Sequence, residues 1–224
     1  MLRLINAGPS PFGRKVMVAL HEKGLSYDLQ WDIPWHGDTV VADHNPLEQL
    51  PILITDAGEA VYESSYILEW LEVHYPLPSL LPADSYERLS ARAFRVLAVG
   101  VIDALQRMNF EYSRPSEHQS AAWVERHLRK IRGALAAMNS WVDGKRYAVG
   151  GQFSLADIEA GCVLGHLDFI AAKVPPLTAL FEGELNWRVE NPALSDYTDE
   201  LCLRPSFKAS EPFMVAIDFA SVVA

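Results

Sequence analysis

Ser10-Pro11-Phe12-Gly13-Arg14-Lys15-Val16 is the stretch on which the fold turns. It follows a short apolar run, Leu2-Arg3-Leu4-Ile5-Asn6, and opens an amphipathic run that reaches Lys23-Gly24. The pattern predicts a strand, a sharp turn and a helix. Ser10 suits the N-cap, where its hydroxyl can accept from a free backbone N–H of the first turn. Pro11 suits the first helical position, where a missing N–H costs nothing. Gly24 suits the stop. Ser10 thus falls beside unpaired N–H groups and a partial positive charge, a place that can hold an anion or a thiolate. Taken alone, the stretch fits a plain cap better, because serine is common there.

Outward from it, Tyr27 to Ile33 alternates in part and predicts a second strand. A strand–helix–strand unit of this length favours parallel pairing with a right-handed crossover. Pro34-Trp35-His36-Gly37-Asp38 breaks the pattern, and Thr39 to His44 fits a short irregular helix. Pro51 stands directly before the apolar strand Ile52-Leu53-Ile54-Thr55, a position open to proline and to a cis bond. Asp56-Ala57-Gly58-Glu59 turns into Ala60-Val61-Tyr62, so 52–62 predicts a hairpin. Glu63-Ser64-Ser65 leads into a helix over Tyr66 to Val73, with Ser64 as the expected cap.

The stretch from Tyr75 to Asp84 carries three prolines and reads as a linker. Beyond it the periodicity is helical. Leu89, Ala93, Leu97, Val101, Leu105 and Met108 predict one long helix, which Arg114-Pro115-Ser116 ends. Val124, Leu128, Ile131, Leu135, Met138 and Val142 predict a second. Ser154-Leu155-Ala156-Asp157 has the form of a capping box and opens a third through Phe169, with Cys162 on its buried side. Val174-Pro175-Pro176 stops that helix, and Asn191-Pro192 starts another by N-cap and N1 logic. Arg204-Pro205-Ser206-Phe207 is expected to end the ordered part. Met214 to Ala224 is apolar and small, suited to docking on the body or on a partner chain.

The bulk composition narrows the classes. The chain has 224 residues, 50% hydrophobic, which suits one large or two modest domains. Net charge is −10 and the pI about 5.1, with basic residues scattered, so no nucleic-acid surface is expected. No apolar run is long enough to span a membrane, and Met1-Leu2-Arg3-Leu4 does not begin a signal-peptide pattern. Two cysteines, Cys162 and Cys202, make a disulfide framework improbable and fit a reducing, cytoplasmic compartment. No metal-ligand spacing is present.

Put together, the order is β-α-β-(α)-β-β-α followed by an all-α part. The chain resembles a cytosolic glutathione transferase over essentially its whole length. Five pieces carry the likeness: Ser10-Pro11-Phe12-x-Arg14-Lys15-Val16, Asn45-Pro46-x-x-Gln49-x-Pro51-x-Leu53, Glu63-Ser64-x-x-Ile67, Ser154 to Asp157, and Arg204-Pro205-Ser206-Phe207. The Ser-Pro-Phe start resembles bacterial members with serine where omega-type relatives and glutaredoxins carry cysteine.

The resemblance implies a thioredoxin-like N-terminal domain over 1–75, a linker over 76–84, an all-α domain over 85–210 and a tail over 211–224. It implies reduced glutathione as co-substrate, no metal, a small hydrophobic electrophile, a homodimer and a detoxifying role. Ser10 would donate a hydrogen bond to the glutathione thiolate. Phe12, Gln49, Leu50, Pro51, Glu63 and Ser64 would bind the tripeptide, with Leu50 pairing as in edge-strand addition and Glu63–Ser64 holding the γ-glutamyl end. His36 is a further candidate, although a solvated loop histidine is the better reading. Arg107, Asn109, Phe110, Tyr112 and Arg114 are candidates for the electrophile's pocket; a helix end with mixed faces explains them equally well.

The departures matter. No Cys-x-x-Cys is present, which disfavours chemistry through an enzyme thiol. Gly8-Pro9-Ser10-Pro11 makes a stiff approach that could displace the hydroxyl, and Gly13 inside a helix costs about 1 kcal/mol relative to alanine. The alternatives are a non-catalytic binding or regulatory module of the same fold and a glutathione-dependent peroxidase.

Overall fold

The computed structural model of the chain describes residues 1–215, with Pro175 and Pro176 described in backbone only. The expected element order is present: β1 (Leu2–Asn6), α1 (Pro11–Glu22), β2 (Tyr27–Trp31), α2 (Val41–His44), β3 (Ile52–Ile54), β4 (Ala60–Tyr62) and α3 (Ser64–His74). Helices follow: α4 (Ser85–Tyr112), α5 (Ala121–Val142), α6 (Leu155–Lys173), α7 (Pro175–Glu182), α8 (Trp187–Glu190), α9 (Pro192–Cys202) and α10 (Pro205–Lys208), with a 3-10 turn at Ser116–His118. A small mixed sheet with helices is thus followed by a helical part, the thioredoxin-like plus all-α architecture that the sequence predicts.

The chain divides into two compact units, residues 1–81 joined by the segment from Arg204, and residues 82–203. In the first, the strand order is β2-β1-β3-β4. β2 runs parallel to β1, while β3 is antiparallel to both β1 and β4. Leu4, Ile5, Ile52 and Leu53 are fully buried on the central strands, as are Val16, Leu20, Ile67, Leu68 and Leu71 on α1 and α3; Ile5 and Ile52 belong to a cluster with Val41 and Ile54. The segment Arg204 to Ser210, placed at the end of the helical domain in the sequence reading, makes its polar contacts with α1. Arg204 Nη2 pairs with Glu22 at 2.7 Å, and Arg14 Nη2 donates to the Phe207 carbonyl at 3.2 Å.

In the second unit, α6 is buried on nearly all sides from Leu155 to Leu164 and carries the capping box. Asp157 is its keystone. Its carboxylate accepts from the backbone N–H of Ala148 and Ser154, each at 2.8 Å, from Ser154 Oγ at 3.0 Å and from Tyr197 Oη at 2.7 Å.

Several expectations are corrected. The stripe on α4 is set differently in its first half: Leu89 is 65% exposed and Ala93 is exposed, whereas Ala91, Phe94 and Ala98 are buried. Proline at 175 stops α6 but also begins α7, because its missing N–H is harmless in a first turn. Asn191 precedes α9, but its side chain donates to the Trp187 carbonyl instead of capping. The short helix expected over Thr39 to His44 begins only at Val41. Arg204–Phe207 opens α10 and does not end the ordered chain. The expected docking of the tail falls mostly on residues 216–224, outside the described residues.

Candidate functional site

Strand register brings the predicted residues of the first unit to one end of the sheet. Asn6 closes β1 and leads through a tight turn to Ser10. Ile5 faces Ile52 across the β1–β3 ladder, so Pro51 lies one step beyond, opposite Asn6. Ile52 in turn faces Tyr62, so Glu63 leaves β4 at that same end. Asn6 also faces Trp31, which sends the loop bearing His36 outward from the same edge. Three chain segments far apart in sequence thus converge where helices α1 and α3 begin.

Ser10 is the N-cap of α1, in extended backbone, with Oγ accepting from Gly13 N–H at 3.2 Å. The flanking prolines have not displaced the hydroxyl from the helix start. Because Oγ is an acceptor in that bond, its own hydrogen stays available to donate. Phe12 follows in the first turn, half-buried, with Lys15 Nζ 5.8 Å above its ring. Gly13, unexplained by the sequence, has a structural cause: a Cβ there would land on the Asn6 side chain. Asn6 is 2% exposed, donates to Met17 Sδ at 3.6 Å, and keeps its Oδ1 buried without a hydrogen-bond partner.

The Leu50–Pro51 bond is cis. Leu50 is half-buried and packs on the cluster of Ile5, Val41, Ile52 and Ile54. β3 is paired on both sides, so edge-strand addition in the strict sense is not available over Ile52–Ile54. Any pairing with a ligand falls on the residue that precedes Pro51, past the end of the ladder. Gln49 is exposed, and its carbonyl accepts from Asn45 Nδ2 at 2.8 Å.

At α3 the cap is Glu63, not Ser64. Glu63 sits at φ 70, a left-handed conformation that disfavours glutamate, and its carboxylate accepts from Ser65 N–H at 3.0 Å and Tyr66 N–H at 2.9 Å. Ser64 is the first helical residue, 3% exposed, with Oγ 3.4 Å from Glu63 Oε1. Oε1 accepts from both Ser64 Oγ and Ser65 N–H, whereas Oε2 accepts from Tyr66 N–H alone and retains a lone pair for a ligand cation. Lys15 ties the two helix starts together, donating to Ser65 Oγ at 3.2 Å. His36 is exposed, in a turn held by its own backbone.

Sequence reasoning missed Lys15 and Asn6. A lysine on the buried face of an amphipathic helix was the available signal for the first. Nothing local marks the second, because its neighbour Gly13 comes to it through the turn.

In the second unit, Arg107, Phe110, Glu111 and Arg114 line an open recess of about 290 Å³, with Trp123 of α5 on its far wall. Asn109 and Tyr112 are not on that lining. Burial, helped by the Glu184 charge, pushes the Tyr112 phenol above its ordinary range. Among the described residues, no group of acidic, histidine and cysteine side chains is placed to hold a metal ion, and no helix is long and apolar enough to cross a membrane.

Comparison with known proteins adds to this geometry. Residues 9–74 match the family model for the glutathione S-transferase N-terminal domain, and residues 121–200 match that for the C-terminal domain. An uncharacterized GST-like protein of Escherichia coli K12, YibF, is 32% identical over 94% of this chain and 98% of its own. A glutathione S-transferase from Methylobacterium radiotolerans, solved in complex with glutathione sulfonate, is 44% identical, with a TM-score of 0.87 over 96% of this chain and 97% of its own. One from Methylobacillus flagellatus, solved with glutathione bound, is 33% identical, with a TM-score of 0.85 over 95% and 100%.

Proposed function

The chain belongs to the glutathione S-transferase family, and from that premise we propose that it binds reduced glutathione, stabilises the thiolate and transfers it to a small electrophile. The observation that carries the reading is the convergence of Ser10, Pro51 and Glu63–Ser64 at one end of the sheet, where two helices begin. The bound ligands of the Methylobacterium and Methylobacillus proteins support the same choice.

The chemical demand is specific. A free thiol with pKa near 8.5 is only a few per cent thiolate at neutral pH. Ser10 donates its free hydroxyl hydrogen to the sulfur, and the Phe12 N–H and partial positive charge at the α1 start add to it. The Leu50 backbone holds the cysteinyl unit, and Phe12 and Gln49 border it. Ser64, at the start of α3, meets the γ-glutamyl carboxylate, while the lone pair left on Glu63 Oε2 faces the ammonium. His36 stays outside this set. The recess of Arg107, Phe110, Glu111, Arg114 and Trp123 is the second unit's candidate for the electrophile. A cytoplasmic homodimer with a detoxifying role belongs to the same reading.

Calorimetric titration with reduced glutathione tests the binding. Saturable heat in the wild type is the expected outcome. Ser10→Ala should then lose turnover at least tenfold while the affinity holds within about twofold; unchanged turnover removes Ser10 from the mechanism. A second reading has its own support. Both Glu63 oxygens and Ser10 Oγ accept backbone N–H groups, as plain caps do. Absence of binding at millimolar glutathione would make the protein a non-catalytic module of this fold. Turnover of an organic hydroperoxide in place of conjugation would make it a peroxidase.

A further inference from the structure

The C-terminal segment runs back along the whole of α1. Arg204 and Ser206 bind Glu22, the last residue of that helix. Arg14, in its first turn, donates to the Phe207 carbonyl and lies 5.6 Å over the Phe207 ring. Phe213 reaches the turn that precedes it: its N–H donates to the Gly8 carbonyl at 3.3 Å. The Phe213 ring meets Trp31 edge-on, with centroids 4.8 Å apart. It also fills the space beside Gly8, where a Cβ would sit 2.6 Å from a ring carbon.

Gly8 is the joint that matters in Gly8-Pro9-Ser10-Pro11. Pro9 and Pro11 fix their own φ, and Pro11 confines Ser10 to the extended backbone it adopts, φ −72 and ψ 116. Gly8 lacks the Cβ through which a following proline restricts most residues. The segment is therefore stiff over Pro9–Ser10, with the buried helix α1 following it, and Gly8 is its pliant joint. What holds Gly8 adds to the bond from Gly13 N–H in setting the direction of the Ser10 hydroxyl. Within the turn, Ser10 N–H donates to the Ala7 carbonyl at 3.0 Å, which closes it locally but does not orient it on the sheet. Phe213 joins it to a neighbour outside the turn, and its ring, 43% exposed, leans edge-on against Trp31 of β2.

We propose that Phe213 is a positioning residue of the glutathione site: by clamping Gly8 against Trp31 it aims the Ser10 hydroxyl at the bound thiol. The proposal rests on the role given to Ser10 above. Hydrogen bonds weaken steeply as they bend, so loss of the clamp should appear in the acidity of the bound thiol before it appears in affinity.

The test is the pKa of glutathione bound to the full-length protein, read from its ultraviolet thiolate absorbance across a pH series. Phe213→Ala should raise that pKa by about half to one unit, a threefold to tenfold loss of thiolate on the acid side. Glutathione affinity should change less than about twofold. Phe213→Tyr keeps the ring and should restore the wild-type pKa. A lower melting temperature with an unchanged pKa would overturn the proposal, since it is what a merely structural contact gives. A rise shared by Phe213→Tyr would overturn it too. Ser10→Ala in the same series separates the two claims. If it raises the pKa and Phe213→Ala does not, the clamp falls and the role of Ser10 stands. If Ser10→Ala leaves the pKa unchanged, or the wild type binds no glutathione, both fall. Should Phe213→Ala fail to fold, Phe213→Leu is read in the same way.

Discussion

Lys23 is fully buried at its side chain, and its ammonium has a place for each of its three hydrogens. They go to the Tyr75 carbonyl at 2.7 Å, the Pro78 carbonyl at 3.0 Å and Glu72 Oε1 at 2.6 Å. Glu72, 7% exposed at its side chain, also accepts from Leu80 N–H and Ser79 Oγ. One buried ion pair thus pins the linker to α1 and α3. Lys23→Met preserves most of the stem's packing but strands a buried carboxylate and two carbonyls. Removing one partner of a buried pair costs about 3–5 kcal/mol. At about 2–4 °C per kcal/mol for a chain of this size, the melting temperature should fall by about 6–20 °C. Most of that loss is the stranded charge, so Lys23→Met/Glu72→Gln should recover about 1–3 kcal/mol of it. Urea unfolding followed by tryptophan fluorescence measures the wild type, both single variants Lys23→Met and Glu72→Gln, and the double. A single variant that costs less than about 1 kcal/mol, or a double variant as damaged as the sum of the singles, would refute the account.

Three further outcomes follow. Gly13→Ala should destabilise by about 1–3 kcal/mol despite alanine's better helix propensity, because the new methyl collides with buried Asn6; a raised denaturation midpoint would mean that Asn6 swings clear. Tyr197→Phe removes a 2.7 Å bond to the Asp157 carboxylate and should cost about 1.5–3 kcal/mol in urea unfolding; a neutral result would show that the Ala148 and Ser154 donors suffice. Burial raises the Glu22 carboxyl, but bonds from Arg204 and Ser206, with the Arg204 and His21 charges, outweigh it and leave the pKa lowered. A lowered folded value gives stability that is present above the unfolded value near 4.5 and is lost as pH falls through the folded one. Wild type should therefore lose its advantage over Glu22→Gln on acidification, and an advantage that persists at low pH would contradict this.

Local chemistry made part of this legible. The Ser10–Pro11 start, the strand led by Pro51 and the Ser154–Asp157 box each depend on a few adjacent residues, and each stands in the structure as read. The α4 stripe did not, because alanines at 91, 93 and 98 leave more than one face plausible over 28 residues. The sequence favours Ser64 over Glu63 as the cap because glutamate rarely takes that place and the left-handed turn it needs has no signal in composition. The site roles assigned to Gln49, Leu50 and His36 came from the resemblance alone. The contacts that shape the Ser10 turn, Asn6 on Gly13 and Phe213 on Gly8, join residues that no periodicity links.

The return of the chain to α1 also has a consequence for synthesis. Residues 1–81 leave the ribosome well before Arg204, with the whole of 82–203 in between. At about 5–20 residues per second, those roughly 120 residues take about 6–25 s. During that interval the seat of Phe207, which is fully buried in the finished protein, lies open and Glu22 lacks its arginine. The first unit is begun first but completed last. A fragment cut at the linker would carry every strand of the sheet and still lack the piece that closes it.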